Sequence, residues 1–140
     1  MLAMSPPAAS QAQAYRRVGV ETGVQAASPH RLVTMLFDGF ASAVAEARTA
    51  LQQRNIEAKC KAITRAVRIV DEGLKASLDA GGGAIASDLG ALYGYVTMRL
   101  TEANLHNDVR ALDECAALLE PVRSAWIAID PAAANASEVQ

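Results

Sequence analysis

The chain has 140 residues, 51% of them hydrophobic but only 4% aromatic, and its 13 Lys and Arg against 15 Asp and Glu leave a net charge of −2. That length fits one domain around one core, and an apolar fraction made mostly of Ala, Leu, Val and Ile favours close-packed helices. A pI near 5.6 lacks the basic excess that marks a nucleic-acid binder, so no nucleic-acid partner is expected.

The opening MLAMSPPAAS has no Lys or Arg ahead of its apolar residues and is broken by Pro6 and Pro7, so it lacks the parts of a signal peptide. No later apolar run approaches the ~18 uncharged residues needed to cross a bilayer, and no membrane insertion is expected. Cys60 and Cys115 sit in helical apolar patterns and read as reduced core or near-core residues, which places the chain in the cytoplasm. Residues 1–27 build no periodic pattern and read as a flexible N-terminal segment.

The first predicted helix opens at Ser28, an N-cap, followed by Pro29 in the first turn. Leu32, Leu36, Phe40, Val44, Ala47 and Leu51 then recur at helical spacing to about Gln53. Asn55 caps a second helix whose stripe, Ile56, Cys60, Ile63, Val67, Val70, Leu74 and Leu78, has the spacing of a bundle seam and runs to about Asp79. The glycines Gly81 to Gly83 lack the Lys-Ser/Thr ending and the preceding strand of a phosphate loop, and serve as an inter-helix turn.

A third stripe, Ile85, Leu89, Leu92, Val96 and Leu100, extends to about His106, and Asn107-Asp108 supplies a stop and a new cap. The fourth helix carries Val109, Leu112, Cys115, Leu119 and Val122 and ends near Ile129. Pro121 predicts a kink over Ala117 to Glu120, or a fresh helix starting at the proline. Short connections make neighbours antiparallel, so the fold expected is all-α, an antiparallel up-and-down four-helix bundle over residues 28–130, with a loose tail at 131–140.

Candidate chemistry is thin. Glu102 and His106 stand four apart, but a carboxylate-bridged metal site in a bundle needs ligands from several helices and the chain has two histidines. His30 reads as solvated or helping the cap, and Lys59, Lys61, Arg65 and Arg68 read as a solvated basic strip. The third helix is more informative. Tyr93 and Tyr95 fall on different sides, Tyr93 at the boundary of the stripe, while Met98 and Leu105 add apolar surface away from its centre, the makings of a shallow groove for a helical peptide.

Taken in order, Tyr15, VGVETGV, ASPHRLVTMLFDG, ALYGY, RLTEANLHND and Ala125-Trp126 resemble the flagellin-specific export chaperones of the FliS family, over about Tyr15 to Ile129. The resemblance implies a cytoplasmic chaperone, without enzymatic activity or cofactor, that binds the C-terminal segment of flagellin. It would hold that segment back from premature polymerisation and support its delivery to the flagellar type III export apparatus. By motif, Tyr15 corresponds to an N-terminal tyrosine that can lie over the client surface, with Val20 in the same lead, and Tyr93, Tyr95, Arg99, Asn104 and Asp108 match the third-helix motif. Many relatives read Tyr-x-Tyr-Met and then paired arginines, where this chain has Val96 after Tyr95 and Met98 before Arg99. The alternative of a different class is a self-associating helical adaptor, a homodimer formed through the third helix.

Overall fold

The computed structural model describes residues 27–78 and 83–129. Four α-helices appear in the expected order: α1 (Pro29–Gln52), α2 (Ile56–Arg68), α3 (Gly83–His106) and α4 (Val109–Ala128), with no strand among the described residues. Three of the starts are capped as the sequence predicts. Ser28 Oγ accepts from the Arg31 N–H at 3.1 Å and Asn55 Oδ1 from the Ala58 N–H at 3.1 Å. Asp108 Oδ1 accepts from the Arg110 N–H at 2.9 Å, each cap satisfying donors that the first turn cannot pair internally.

Four contacts fix the up-and-down order. The beginning of α1 meets the end of α4 where the His30 ring stacks on Trp126, centroids 4.8 Å apart. There the Trp126 indole N–H donates to the His30 carbonyl at 3.0 Å, and His30 Nε2 donates to the Trp126 carbonyl at 2.7 Å. The beginning of α2 meets the end of α3 where Lys59 Nζ donates to the Asn104 carbonyl at 2.8 Å. Leu36 of α1 packs on Gly73 beyond α2, and Tyr95 of α3 reaches Glu114 of α4. The core enclosed is mainly aliphatic, with Leu32, Leu36, Ile63, Ile69, Leu100 and Leu112 among its fully buried side chains beside Phe37, Phe40 and Tyr93.

Several expectations are corrected. The second helix does not run as one α-helix to about Asp79: it changes at Arg68 into a π-helical segment, Ile69–Leu74, marked by the Lys75 N–H bond to the Val70 carbonyl at 2.8 Å. Asp79 itself lies outside the described residues. Nor does Pro121 divide the fourth helix, which is continuous from Val109 to Ala128. Pro121 and Ala117, the residue whose carbonyl the proline cannot pair, are both exposed, which puts the break on the solvent side of the helix. Ile56 and Ile85, read into the apolar stripes, are 50% and 74% exposed because each sits in a first turn beyond the end of its packing neighbour's cover.

Lys59 is not part of a solvated strip but 3% exposed, its stem packed between helices and its ammonium on the Asn104 carbonyl. The remaining members of that strip do face outward: Lys61 is exposed, Arg65 pairs with Glu46 at 3.1 Å and Arg68 with Glu72 at 3.1 Å. His30, read as solvated or helping the cap, is half-buried in its clasp with Trp126. The cysteines divide. Cys115 is fully buried with its thiol directed at the Val96 carbonyl, and burial pushes it up to about 12, whereas Cys60 is half-buried. A thiol reagent at neutral pH is therefore expected to label Cys60 in the native protein and Cys115 only on unfolding. Equal native labelling rates, read by mass spectrometry, would contradict the packing of α3 on α4.

Candidate functional site

One helix is apolar on both sides. On α3 the residues Tyr93, Val96, Leu100 and Ala103 are buried against the bundle. Opposite them, Ala84, Ser87, Ala91, Gly94, Met98, Thr101 and Leu105 alternate in steps of three and four, forming a row along the outer surface that contains no charged residue. Leu105 is 75% exposed and Met98 49%, and nothing lies within 4 Å of a Cβ built on Gly94. Large side chains occupy the C-terminal half of the row and small ones the N-terminal half.

The edge of the row facing α4 is held by ion pairs. The Tyr95 hydroxyl donates to Glu114 Oε2 at 2.6 Å, Arg99 Nε donates to Glu114 Oε1 at 2.7 Å, and Arg99 Nη1 to Glu102 Oε1 at 2.6 Å. Hydrogen bonds from the Tyr95 phenol and the Arg99 guanidinium hold the Glu114 carboxyl below its usual range, and the same carboxylate raises the Tyr95 phenol. Both oxygens of Glu114 are thereby occupied. The cluster is a clamp across the α3–α4 seam that leaves Tyr95 39% exposed beside the apolar row.

The structure brings Tyr95 and Arg99 together on this surface and puts the other third-helix candidates elsewhere. Tyr93, expected at a boundary, is 3% exposed in the core, where desolvation lifts its phenol to about 12. The difference arises because α3 packs on both α2 and α4, widening its buried arc beyond the single stripe read from the sequence. Asn104 gives its carbonyl to Lys59, and its side-chain Oδ1 is buried with no hydrogen-bond partner among the described residues. Asp108 caps α4, directly after Asn107 in the left-handed region at φ 52°. Asp108→Ala is accordingly expected to lower unfolding free energy by about 0.5–2 kcal/mol, measured by urea denaturation. Tyr15 and Val20 lie outside the described residues.

A second apolar surface was not read from the sequence. Between α1 and α4 a groove of about 210 Å³ is floored by Phe37, Phe40, Val44 and Leu119. It is bounded by the ion pairs Arg48–Asp113 at 3.3 Å and Arg123–Asp38 at 2.9 Å. The available signal was Ala41, Ala45 and Ala116, small residues that leave room between two helices. Among the described residues no three His, Cys, Asp or Glu side chains gather as a metal site, and Glu102 of the Glu102/His106 pair is engaged by Arg99. No described helix is long and apolar enough to cross a membrane.

Comparison with known proteins agrees with the family that the sequence motifs resemble. Residues 11–133 match the family described as FliS, flagellar protein FliS. The chain is 48% identical over 126 residues to the flagellar secretion chaperone FliS of Salmonella typhimurium, an alignment covering 89% of this chain and 93% of that relative. It is 42% identical over 120 residues to the protein of the same name in Escherichia coli, covering 85% and 88%. The similarity extends to the Bacillus subtilis flagellar secretion chaperone FliS, at 31% over 109 residues, 76% of this chain and 78% of the relative. With a family match over most of its length, the chain belongs to the FliS family.

Proposed function

We propose that this protein is a cytoplasmic flagellar secretion chaperone that binds the C-terminal segment of flagellin, keeps it from polymerising early and supports its passage to the flagellar type III export apparatus. It acts by binding alone, with no catalytic step and no cofactor. The observation that carries this reading is the uncharged outer row of α3, where Met98 and Leu105 stand exposed beside Tyr95 with no element of the described bundle covering them. A disordered amphipathic chain that becomes helical on such a row buries apolar area in exchange for its ordering entropy.

Magnitudes decide how much surface the client needs. Fully burying a Leu- or Met-sized side chain contributes roughly 1.5–3 kcal/mol, and Leu105 and Met98 start 75% and 49% exposed, so together they supply roughly 2–4 kcal/mol. Ordering a disordered segment costs about 2–5 kcal/mol before association entropy is counted. The row alone therefore gives weak binding, and in this reading the client continues into the α1–α4 groove.

Residues 28–130 form the chaperone domain of this proposal, with Tyr95 and Arg99 as rim contacts and Tyr93, Asn104 and Asp108 shaping the helix that presents them. In this proposal residues 1–27, with Tyr15 and Val20, serve as a cover for the client surface in the free chaperone, and 131–140 is a tail outside the chaperone domain. Calorimetric titration of the full chain with a peptide copying the C-terminal region of flagellin tests the function. One-to-one saturation with a gain of helical circular dichroism supports it, and no heat with no gain of helix rejects it. Repeating the titration after deletion of residues 1–26 tests the cover, which predicts tighter binding.

A further inference from the structure

Lys59 is a charged residue in a place that a leucine or methionine would fill without desolvating an ion. It is 3% exposed, and its ammonium makes no ion pair among the described residues. Burying a cation without a counter-ion is unfavourable unless another group offsets it. The group it holds is the Asn104 carbonyl, at 2.8 Å. Because α3 ends at His106, that carbonyl is one of the last four of the helix, which carry its negative dipole end and have no regular partner within it. The ammonium is therefore a C-terminal cap for α3 delivered from α2, 45 residues away in the chain. The chain's own closure of the same turn is the Asp108 N–H bond to the Ala103 carbonyl at 3.0 Å, with Asn107 left-handed at φ 52°. Asn104 Oδ1 is sealed from solvent with no hydrogen-bond partner among the described residues, so this turn has little polar satisfaction to lose.

We infer that Lys59 is a positioning residue for client binding: by capping the end of α3 it fixes Leu105, the most exposed large side chain of the outer row, where a client helix meets it. The inference rests on that row being the client surface. Leu105 follows the capped carbonyl by one residue, in the turn that frays first when a helix end loses its partners. Met98 lies about 9 Å further back along the helix, between the buried Val96 and Leu100, and core packing holds it. The two exposed residues of the row are thus positioned by different means, Met98 by the bundle around it and Leu105 by a charge from α2. Lys59 is buried and acts only through the turn, without touching the client. Replacing it by methionine keeps most of the stem's volume but removes the ammonium, and the Asn104 carbonyl then gains a partner by loosening the last turn toward water.

Two measurements on the full chain test this. Without client, hydrogen exchange read by NMR is expected to be at least about tenfold faster at the amides of Leu105 to Asp108 in Lys59→Met than in the native chain. It should stay within about twofold at the opposite end of the bundle, where the Ile129 N–H bonds to the Trp126 carbonyl. With client, Lys59→Met is expected to weaken binding of the flagellin C-terminal peptide about tenfold in the otherwise native chain but less than about twofold in a Leu105→Ala background, because a turn that presents no leucine has nothing left to misplace. A residue that merely stabilised the bundle would weaken both backgrounds alike. Should Lys59→Met fail to fold, Lys59→Gln, which keeps a neutral donor on the stem, takes its place in the same comparisons. Equal exchange at Leu105 to Asp108, unchanged affinity, or an equal loss in both backgrounds would each overturn the inference. No binding of the peptide by the native chain would instead reject the proposed function, and the exchange comparison would still decide whether Lys59 holds the turn.

Discussion

Leu36→Ala is expected to lower the free energy of unfolding by about 2–5 kcal/mol, the range for emptying a fully buried leucine site. Leu36 is 0% exposed in the first half of α1 and its two methyl groups lie 2.8 and 3.0 Å from the position of a Cβ built on Gly73. The glycine and the leucine therefore fill one volume between them. Gly73→Ala alone should cost about 1–3 kcal/mol by overpacking, since the buried leucine has nowhere to withdraw. The double variant should be destabilised by less than the sum, because the alanine methyl enters the space the leucine vacates. Additive losses in urea denaturation would show that α1 and the π-helical segment Ile69–Leu74 do not meet as described.

Replacing Met98 and Leu105 together by Glu is expected to weaken binding of the flagellin peptide at least about 100-fold, or roughly 2.7 kcal/mol, with the helical spectrum unchanged. Both side chains point away from the core, so their loss removes nothing that the fold uses, and surface changes of this kind usually move stability by less than about 0.5 kcal/mol. The client, by contrast, would have to bury two carboxylates in the contact. The control is Lys61→Glu with Thr64→Glu on the exposed face of α2, expected to leave affinity within about twofold. If both pairs weaken binding equally, general charge rather than the α3 row governs the interaction.

Much of the bundle was legible because local chemistry decides it. Ser28, Asn55 and Asp108 cap helices where the sequence places them, since a cap needs only its own next three residues. What local pattern could not supply were facts set by distant partners. Lys59 reads as solvated until the Asn104 carbonyl, 45 residues on, is brought beside it, and His30 reads as a surface residue until Trp126, 96 residues away, stacks on its ring. Tyr93 was misplaced because a single stripe describes a helix with one neighbour, whereas α3 has two. Pro121 does not start a fresh helix, because the cost of a proline depends on whether the freed carbonyl faces core or water.

The site divides along the same line. Met98 and Leu105 could be found from sequence, since apolar residues opposite a stripe need no tertiary knowledge to stand out. The clamp joining Tyr95 and Arg99 to Glu114 could not, because it depends on the register of α3 against α4, and the α1–α4 groove could not, because its two walls are about 70 residues apart in the chain. Family motifs led to residues that build the presenting helix as well as to residues on its surface: Tyr93 packs, Asp108 caps, Tyr95 and Arg99 border the row.

The central claim is that the outward face of α3 is where the flagellin segment lies. The most direct measurement places a photoactivatable cross-linker in turn at positions 98, 105 and 61 of the full chain and exposes each to a saturating flagellin C-terminal peptide. The account predicts capture of the peptide from positions 98 and 105 and none from position 61. Capture from position 61 alone, with 98 and 105 silent under saturation, would contradict it.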